Sequence, residues 1–344
     1  MVPAQGAPPG TVNVASPVYI FKSDAAQTLQ AKVKIFKDIK TGGVILEAPP
    51  GWHVDPALIR IDSKKKGDEF TANFTVRPGG AGAQSGVAKF SFTHDMDNTA
   101  YSYGIKEINY NHVPNITLFP PAEAKLVNLD LKLAGKKIGY IEGAGDLVPD
   151  ALKQAGYQVH QLTENEIMNG DLSGYDAIIT GVRAYNVNPR LAVEQPKLLE
   201  YVKNGGNLVV QYNNSNGLVT KQIGPYPFSV VNKRVTDENA KVTILDPQNP
   251  VLNYPNKIGD DDFNGWIQER GLYYVGDVDP KYSAVLQMND PNEAPNKGAL
   301  IVGNYGQGRF VYTSLAFFRQ LPAGVPGAYR LFINLLSKPK NQQP

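Results

Sequence analysis

The hydrophobic period of this chain changes part-way along, and that change limits the folds open to it. In EFTANFTVRP, Phe70, Ala72, Phe74 and Val76 alternate with Thr71, Asn73, Thr75 and Arg77. A period of two puts the first set on one face of a half-buried strand and the second on the other. LQAKVKIFKDI repeats the pattern with Leu29, Ala31, Val33 and Ile35, and GVAKFSFTH and AYSYGIKEINY are further strand candidates. Turn clusters such as Pro49-Pro50-Gly51 and RPGGAGAQSG separate them. Short strands at this spacing predict an immunoglobulin-like β-sandwich over 17–112. Residues 1–16, beginning MVPAQGAPPG, read as a Pro/Gly/Ala linker with neither the basic start nor the apolar core of a signal peptide. Such a start is compatible with a chain cut from a longer one. Residues 113–134, NHVPNITLFPPAEAKLV in the main, read as a connector because proline cannot join a central ladder.

From Gly135 the pattern becomes strand, helix, strand. KKIGYI reads as a buried strand, and LVPDALKQAG places Val148, Ala151, Leu152 and Ala155 on one helical face with Gly156 as the stop. YQVHQL and YDAIITG supply two more strands, EQPKLLEYVKNGG a helix, and NLVVQY a fourth strand. ALIVGNYGQGRFVYTSL reads as a hairpin and GAYRLFINLL as a final helix. Apolar strands alternating with amphipathic helices predict a doubly wound, flavodoxin-like, mostly parallel sheet over 135–338, with 339–344 as a tail. The fold class is therefore multidomain, β followed by α/β.

In an open α/β sheet, ligands bind outside the carboxyl ends of the strands. There the sequence places Glu142-Gly143-Ala144-Gly145-Asp146, then Arg183 with Tyr185, then Gln211, Tyr212, Asn213 and Asn214. Gly143, Gly145, Asp146, Arg183, Tyr185, Gln211, Asn213 and Asn214 are the candidate ligand-binding residues of this rim. Each also has a plain reading: turn glycines, a capping aspartate, a surface arginine and ordinary turn-forming asparagines. Trp266, Arg270 and Arg319, in aromatic and proline-rich segments, extend the candidate surface. Glu142, Asp146 and Glu269 are the candidates for general acid and base work.

Several chemistries find no support. Val148 stands where the dinucleotide fingerprint needs its third glycine, and there is no Walker lysine. The chain has no cysteine and four histidines, of which only His160 falls beyond residue 135. A Cys/His or Ser/His pair with a late base, one that would activate Ser215 for instance, cannot be assembled. The histidines show no metal-ligand spacing. Asp260, Asp261 and Asp262 point in different directions and suit a solvated loop or a helix start. No metal and no cofactor is expected. A net charge of +2 over 344 residues argues against a nucleic-acid surface, and no apolar run reaches the ~18 residues of a membrane span.

These segments also carry a resemblance. GKKIGYIEGAGDLVPDALKQAGYQV, YDAIITGVRAYN, YVKNGGNLVVQYN, GPYPFS, RVTDE, NPVLNYPNKI, GWIQERGLYY and LPAGVPGAYRLFINLL, in order over roughly 110 to 337, resemble the C-terminal region of Bacteroidetes-type LmbE-like (PIG-L family) deacetylases. That region resembles a class I glutamine amidotransferase-like domain. APPGWHV with FTANFTVRPGG resembles β-sandwich modules attached to glycosidases and envelope proteins. The family's zinc deacetylase domain acts on N-acetylated sugars, and this chain lacks its His-Pro-Asp-Asp motif; the resemblance implies either an accessory part of a parent protein with that domain or a stand-alone homologue that never had it. It also implies a degenerate amidotransferase-like domain, because Asn213 stands near the position of the catalytic cysteine. The leading expectation is a non-catalytic accessory module of the periplasm or cell envelope. Its rim would bind a glycan, a sugar-containing ligand or a partner domain. A carboxylate-dependent hydrolase acting on a carbohydrate-related substrate and an oligomerisation scaffold are the alternatives.

Overall fold

The computed structural model describes residues 8–80, 83–95, 97–109, 112 and 114–339. Residues 1–7 of the expected linker, 340–344 of the expected tail and the Val113 boundary lie outside them. The chain divides into two compact units, Met1–Asp130 and Leu131–Pro344.

The first unit contains β1 (Gly10–Val14), β2 (Val18–Phe21), β3 (Gln27–Ile35), β4 (Ile39–Glu47), β5 (Trp52–Asp55), β6 (Leu58–Lys64) and β7 (Glu69–Pro78). β8 (Gly86–His94), β9 (Asp97–Tyr101), β10 (Lys106–Ile108), β11 (Ile116–Leu118) and β12 (Glu123–Asn128) complete it. One sheet has the order β1-β3-β7-β5 and the other β2-β12-β8-β4-β6, with β9 on β8. Their inner faces share a core in which Leu29, Val33 and Phe74 meet Val44, Leu46, Phe90 and Phe92. Phe74 and Phe90 touch edge to face at 5.7 Å. The alternation in β7 is the cause: Ala72, Phe74 and Val76 are buried and Thr71, Asn73 and Thr75 exposed.

Two stretches differ from the sequence reading. β1 lies in the expected linker and pairs with β3 from Gly10↔Ile35 to Val14↔Ala31. β12 lies in the expected connector and is a central strand, antiparallel to β8 and parallel to β2. The reason is where the prolines sit. Pro120 and Pro121 precede β12 rather than interrupt it, so the ladder loses no donor.

The second unit runs β13 (Lys137–Ile141), α1 (Val148–Ala155), β14 (Gln158–Gln161), α2 (Glu164–Asn169), β15 (Ala177–Thr180), α3 (Ala184–Val187), α4 (Leu191–Lys203) and β16 (Asn207–Gln211). Two-residue strands follow: β17 (Ser229–Val230), β18 (Arg234–Val235), β19 (Thr243–Ile244) and, beyond α5 (Pro250–Asn253), β20 (Gly271–Leu272) and β21 (Val275–Gly276). The chain ends with β22 (Tyr282–Ala284), β23 (Leu286–Gln287), β24 (Leu300–Tyr305), β25 (Gly308–Thr313), α6 (Phe317–Gln320) and α7 (Pro326–Leu336). The main sheet has the order β14-β13-β15-β16-β25-β24-β22. β14, β13, β15, β16 and β25 are parallel neighbours, and β24 is antiparallel to both β25 and β22. The unit is thus α/β with a mixed sheet.

The chain leaves β13 for β14 on one side and returns to β15 on the other, so the strand order reverses at β13. Among the described residues no helix is long and apolar enough to cross a membrane.

Candidate functional site

At the carboxyl ends of β13 and β15, where an open α/β sheet would offer a crevice, the two loops are in backbone contact. Ala144 N–H donates to Val182 O at 2.8 Å, and Gly181 N–H to Ile141 O at 2.7 Å. A Cβ on Gly143 would lie 2.2 Å from Val182 O, so only glycine fits this approach. Gly145 has φ +93 and turns the chain into α1. Asp146 fastens the junction. Its carboxylate accepts from Tyr140 OH at 2.6 Å, Val148 N–H at 2.9 Å and Val182 N–H at 3.0 Å. Burial, and then the Asp146 charge, push the Tyr140 phenol far above its ordinary value, which keeps it a donor. Gly143, Gly145 and Asp146 therefore close the crevice rather than line one.

The exit of β16 is also internal. Asn213 is fully buried; its Oδ1 accepts from Tyr185 N–H at 2.9 Å and its Nδ2 donates to Gln211 O at 2.8 Å. Its own N–H donates to Tyr312 OH at 3.1 Å. Gln211 is buried and donates to Thr180 O at 3.2 Å, and the buried Tyr185 hydroxyl donates to Gln195 Oε1. Tyr185, Gln211 and Asn213 were expected to face a ligand. The structure spends their polar atoms inside the fold.

Two further expected ligand contacts belong to the interior. Arg270 is buried without a carboxylate; its Nε and one terminal nitrogen donate to Ala240 O at 3.1 and 2.9 Å, and the other to Phe263 O. Trp266 is buried, donates to Asp262 O at 3.0 Å, and packs against Phe263 and Phe317. Neither presents a face to solvent.

The candidate carboxylates do not converge. Glu142 is exposed and accepts from Gln161 Nε2 at 2.6 Å, on β14 and away from the sheet centre. Glu269 is buried on the other side, paired with Arg319 Nε at 2.6 Å. The three lone-pair contacts of Asp146 leave it fixed between loops. His160 is held by Glu166 at 2.7 Å. Among the described residues no three His, Asp or Glu side chains gather as a metal site would require.

What the rim does assemble is an aromatic and cationic face over β16 and β25. The half-buried ring of Tyr212 stacks on Phe318 at 5.6 Å and 13°, and lies 5.8 Å from Tyr273. Arg319 sits over the Phe318 ring at 4.8 Å while holding Glu269. Tyr212 OH donates to Asn214 Oδ1 at 3.0 Å, and Asn214 N–H donates to Asn186 Oδ1 at 2.8 Å. Arg183 is tied in through its N–H, 2.7 Å from Tyr212 O. Burial raises the Tyr212 phenol, and the nearby Arg183 charge opposes that rise. Arg183, Gln268 and Tyr273 all have positive φ, at 58, 66 and 53. Such backbone costs energy in non-glycine residues.

Of the expected residues, Arg183, Asn214, Glu269 and Arg319 meet here. Tyr273 and Phe318 were missed, although both lie in the aromatic segments GWIQERGLYY and LAFFRQLPAGVPGAYR. They come together because the 270–272 segment pairs with the exit of β25, through Leu272 N–H to Ser314 O at 3.1 Å and Ala316 N–H to Arg270 O at 3.0 Å. A groove lined by Leu172, Tyr175, Glu200, Tyr201 and Gly205 opens beside the residues entering β15 and β16, at the opposite strand ends.

No family model matches the chain. No curated protein matches it either. Among solved structures, it is similar to a FixG-related protein from Vibrio parahaemolyticus at 11% identity and TM-score 0.23, covering 35% of this chain and 97% of that one. It is similar to an exo-beta-1,4-mannosidase from Opitutaceae bacterium strain TAV5 at 13% identity and TM-score 0.36, covering 61% of this chain and 37% of that one. A class 5 fimbriae chaperone matches at 9% identity and TM-score 0.20, over 37% of this chain and 62% of that one. At these scores the likenesses say nothing of what this chain does.

Proposed function

We propose that this chain is a non-catalytic accessory module, of or related to a PIG-L/LmbE-like N-acetylglucosaminyl deacetylase, that binds a glycan in the cell envelope through the Tyr212 face. On this reading the first unit is an immunoglobulin-like sandwich. The second is a degenerate amidotransferase-like domain with a flavodoxin-type strand order. The parallel run β14-β13-β15-β16 supports that order. The burial of Asn213 at the elbow supports the loss of chemistry, since a nucleophile must reach its substrate. Glu142 follows β13 and bonds Gln161 on β14, whereas Glu269 pairs with Arg319 beyond β25, with β15 and β16 between, which disfavours a hydrolytic carboxylate pair, normally about 5 to 10 Å apart.

The observation that carries the proposal is the half-buried aromatic group Tyr212, Tyr273 and Phe318, edged by Asn214, Arg183 and Arg319. Flat rings receive the apolar face of a pyranose, and the Asn214 amide at the edge can bond its hydroxyls. Calorimetric titration with chitotetraose and with a hyaluronan tetrasaccharide tests it. Binding of either by the wild-type chain, weakened about tenfold or more in both Tyr212→Ala and Phe318→Ala, is the expected result. Wild-type protein that binds neither, or variants that bind as well as wild type, would overturn it.

A further inference from the structure

Three charged residues gather at the Tyr212 face: Arg183, whose N–H bonds Tyr212 O, Arg319 over the Phe318 ring, and Glu269, which Arg319 holds. Two of them cancel. Arg319 Nε is 2.6 Å from Glu269 Oε1, so that guanidinium is spent inside the protein. Arg183 is not spent. Its Nε is shut off from water with no hydrogen-bond partner while the residue as a whole is half-buried, and among the described residues it forms no ion pair with a carboxylate. A guanidinium is a planar fork that stays charged at all ordinary pH, and its matching partner is a carboxylate held by two parallel hydrogen bonds.

The position of this group is built. Arg183 takes a φ of 58, which an arginine adopts only when its surroundings impose it. Its N–H is fixed to Tyr212 O at 2.7 Å, and the next residue but one, Tyr185, gives its N–H to Asn213. Asn186 grips the same elbow, receiving Asn214 N–H at 2.8 Å and donating to Asn214 O at 3.1 Å. The backbone that carries the unpaired charge and the backbone that carries the Tyr212 ring are thus one hydrogen-bonded assembly.

We infer that the ligand of this face is an acidic sugar, a pyranose carrying a carboxylate, which Arg183 receives while the ring lies against Tyr212 and Tyr273. This rests on the glycan reading above and adds the charge of the ligand to it. A neutral sugar would leave Arg183 as unpaired as it is now. A carboxylated one supplies the single negative charge that the cluster lacks.

The test compares a hyaluronan tetrasaccharide, which alternates glucuronate with N-acetylglucosamine, with the same tetrasaccharide after its carboxyl groups are reduced to alcohols. Calorimetry on the full chain should show the acidic form binding roughly 10- to 100-fold more tightly, the range of a charge-assisted pair. In Arg183→Gln that preference should vanish, the two forms then binding alike, and Arg183→Lys should retain part of it. Raising the salt should narrow the preference in the wild type. Equal binding of the two forms by the wild type would overturn the acidic-ligand inference and leave the glycan reading standing. Binding of neither form would overturn the acidic-ligand inference, and the chitotetraose titration then decides whether the glycan reading falls with it. A preference that persists unchanged in Arg183→Gln would place the receptor elsewhere and sink the assignment to Arg183.

Discussion

Asp146 shows how a residue that looks chemical can be structural. Its carboxylate holds two loops at once, through Val148 N–H and Val182 N–H, and takes the Tyr140 hydroxyl as well. Asp146→Asn keeps the shape but turns one acceptor into a donor facing a donor. The expected cost is about 2 kcal/mol, the worth of hydrogen bonds to a charged group, seen as a lower urea midpoint at unchanged slope. An unchanged midpoint would mean that the carboxylate is free for other work. The same distinction separates the legible residues from the illegible ones. Arg183 and Asn214 are legible by counting from strand ends, and Glu269 and Arg319 through the aromatic, proline-rich segments that carry them. Arg270 and Trp266 were misplaced because arginine in an aromatic stretch reads as surface. Three hydrogen bonds to the carbonyls of Ala240 and Phe263, in loops remote in sequence or turned back on themselves, bury it instead. No local pattern records where those carbonyls go.

At the scale of elements, local chemistry was easier to read. The face expected of α1 is its buried face, with Gly156 in the left-handed region as its stop. β12 was not legible as a strand, because proline next to a ladder and proline within one look alike until pairing is known. The start of α2 carries a titratable device. Thr163 and Glu166 form a capping box, each accepting a backbone N–H of the other. The Thr163 backbone N–H, the Thr163 hydroxyl and then His160 hold Glu166 at about 2, below the 4.5 of an ordinary glutamate. A depressed carboxylate contributes its stabilisation above its unfolded value and loses it as pH falls through the folded one. The helix should therefore hold from neutral pH down to about 4.5 and loosen from there towards about 2. Hydrogen exchange at Ile167 N–H, which bonds Thr163 O at 3.1 Å, reads this directly. Its protection factor should fall across that window in the wild type and stay flat in Glu166→Gln. A fall of equal size in both would show that another group titrates.

At the scale of the whole molecule, two cores imply two separately measurable stabilities. The chain's two tryptophans fall one in each unit, Trp52 against Phe21 at 4.7 Å and Trp266 against Phe317 at 5.7 Å. Trp266→Phe thus leaves a reporter of the β unit, and Trp52→Phe a reporter of the α/β unit. Phe90 is fully buried between the two sheets, so Phe90→Ala should cost its own unit about 3 to 5 kcal/mol. In the Trp266→Phe background this should lower the urea midpoint by about 1 M or more, at slopes of about 1 to 3 kcal/mol per molar. In the Trp52→Phe background the midpoint should not move. Phe332→Ala, which removes the ring 4.8 Å from Phe317, should give the mirror result. Parallel shifts at both reporters would mean that the units unfold as one. The Tyr212 face would then borrow stability from the β unit, and a core substitution in that unit would weaken the proposed glycan binding although it touches no residue of the face.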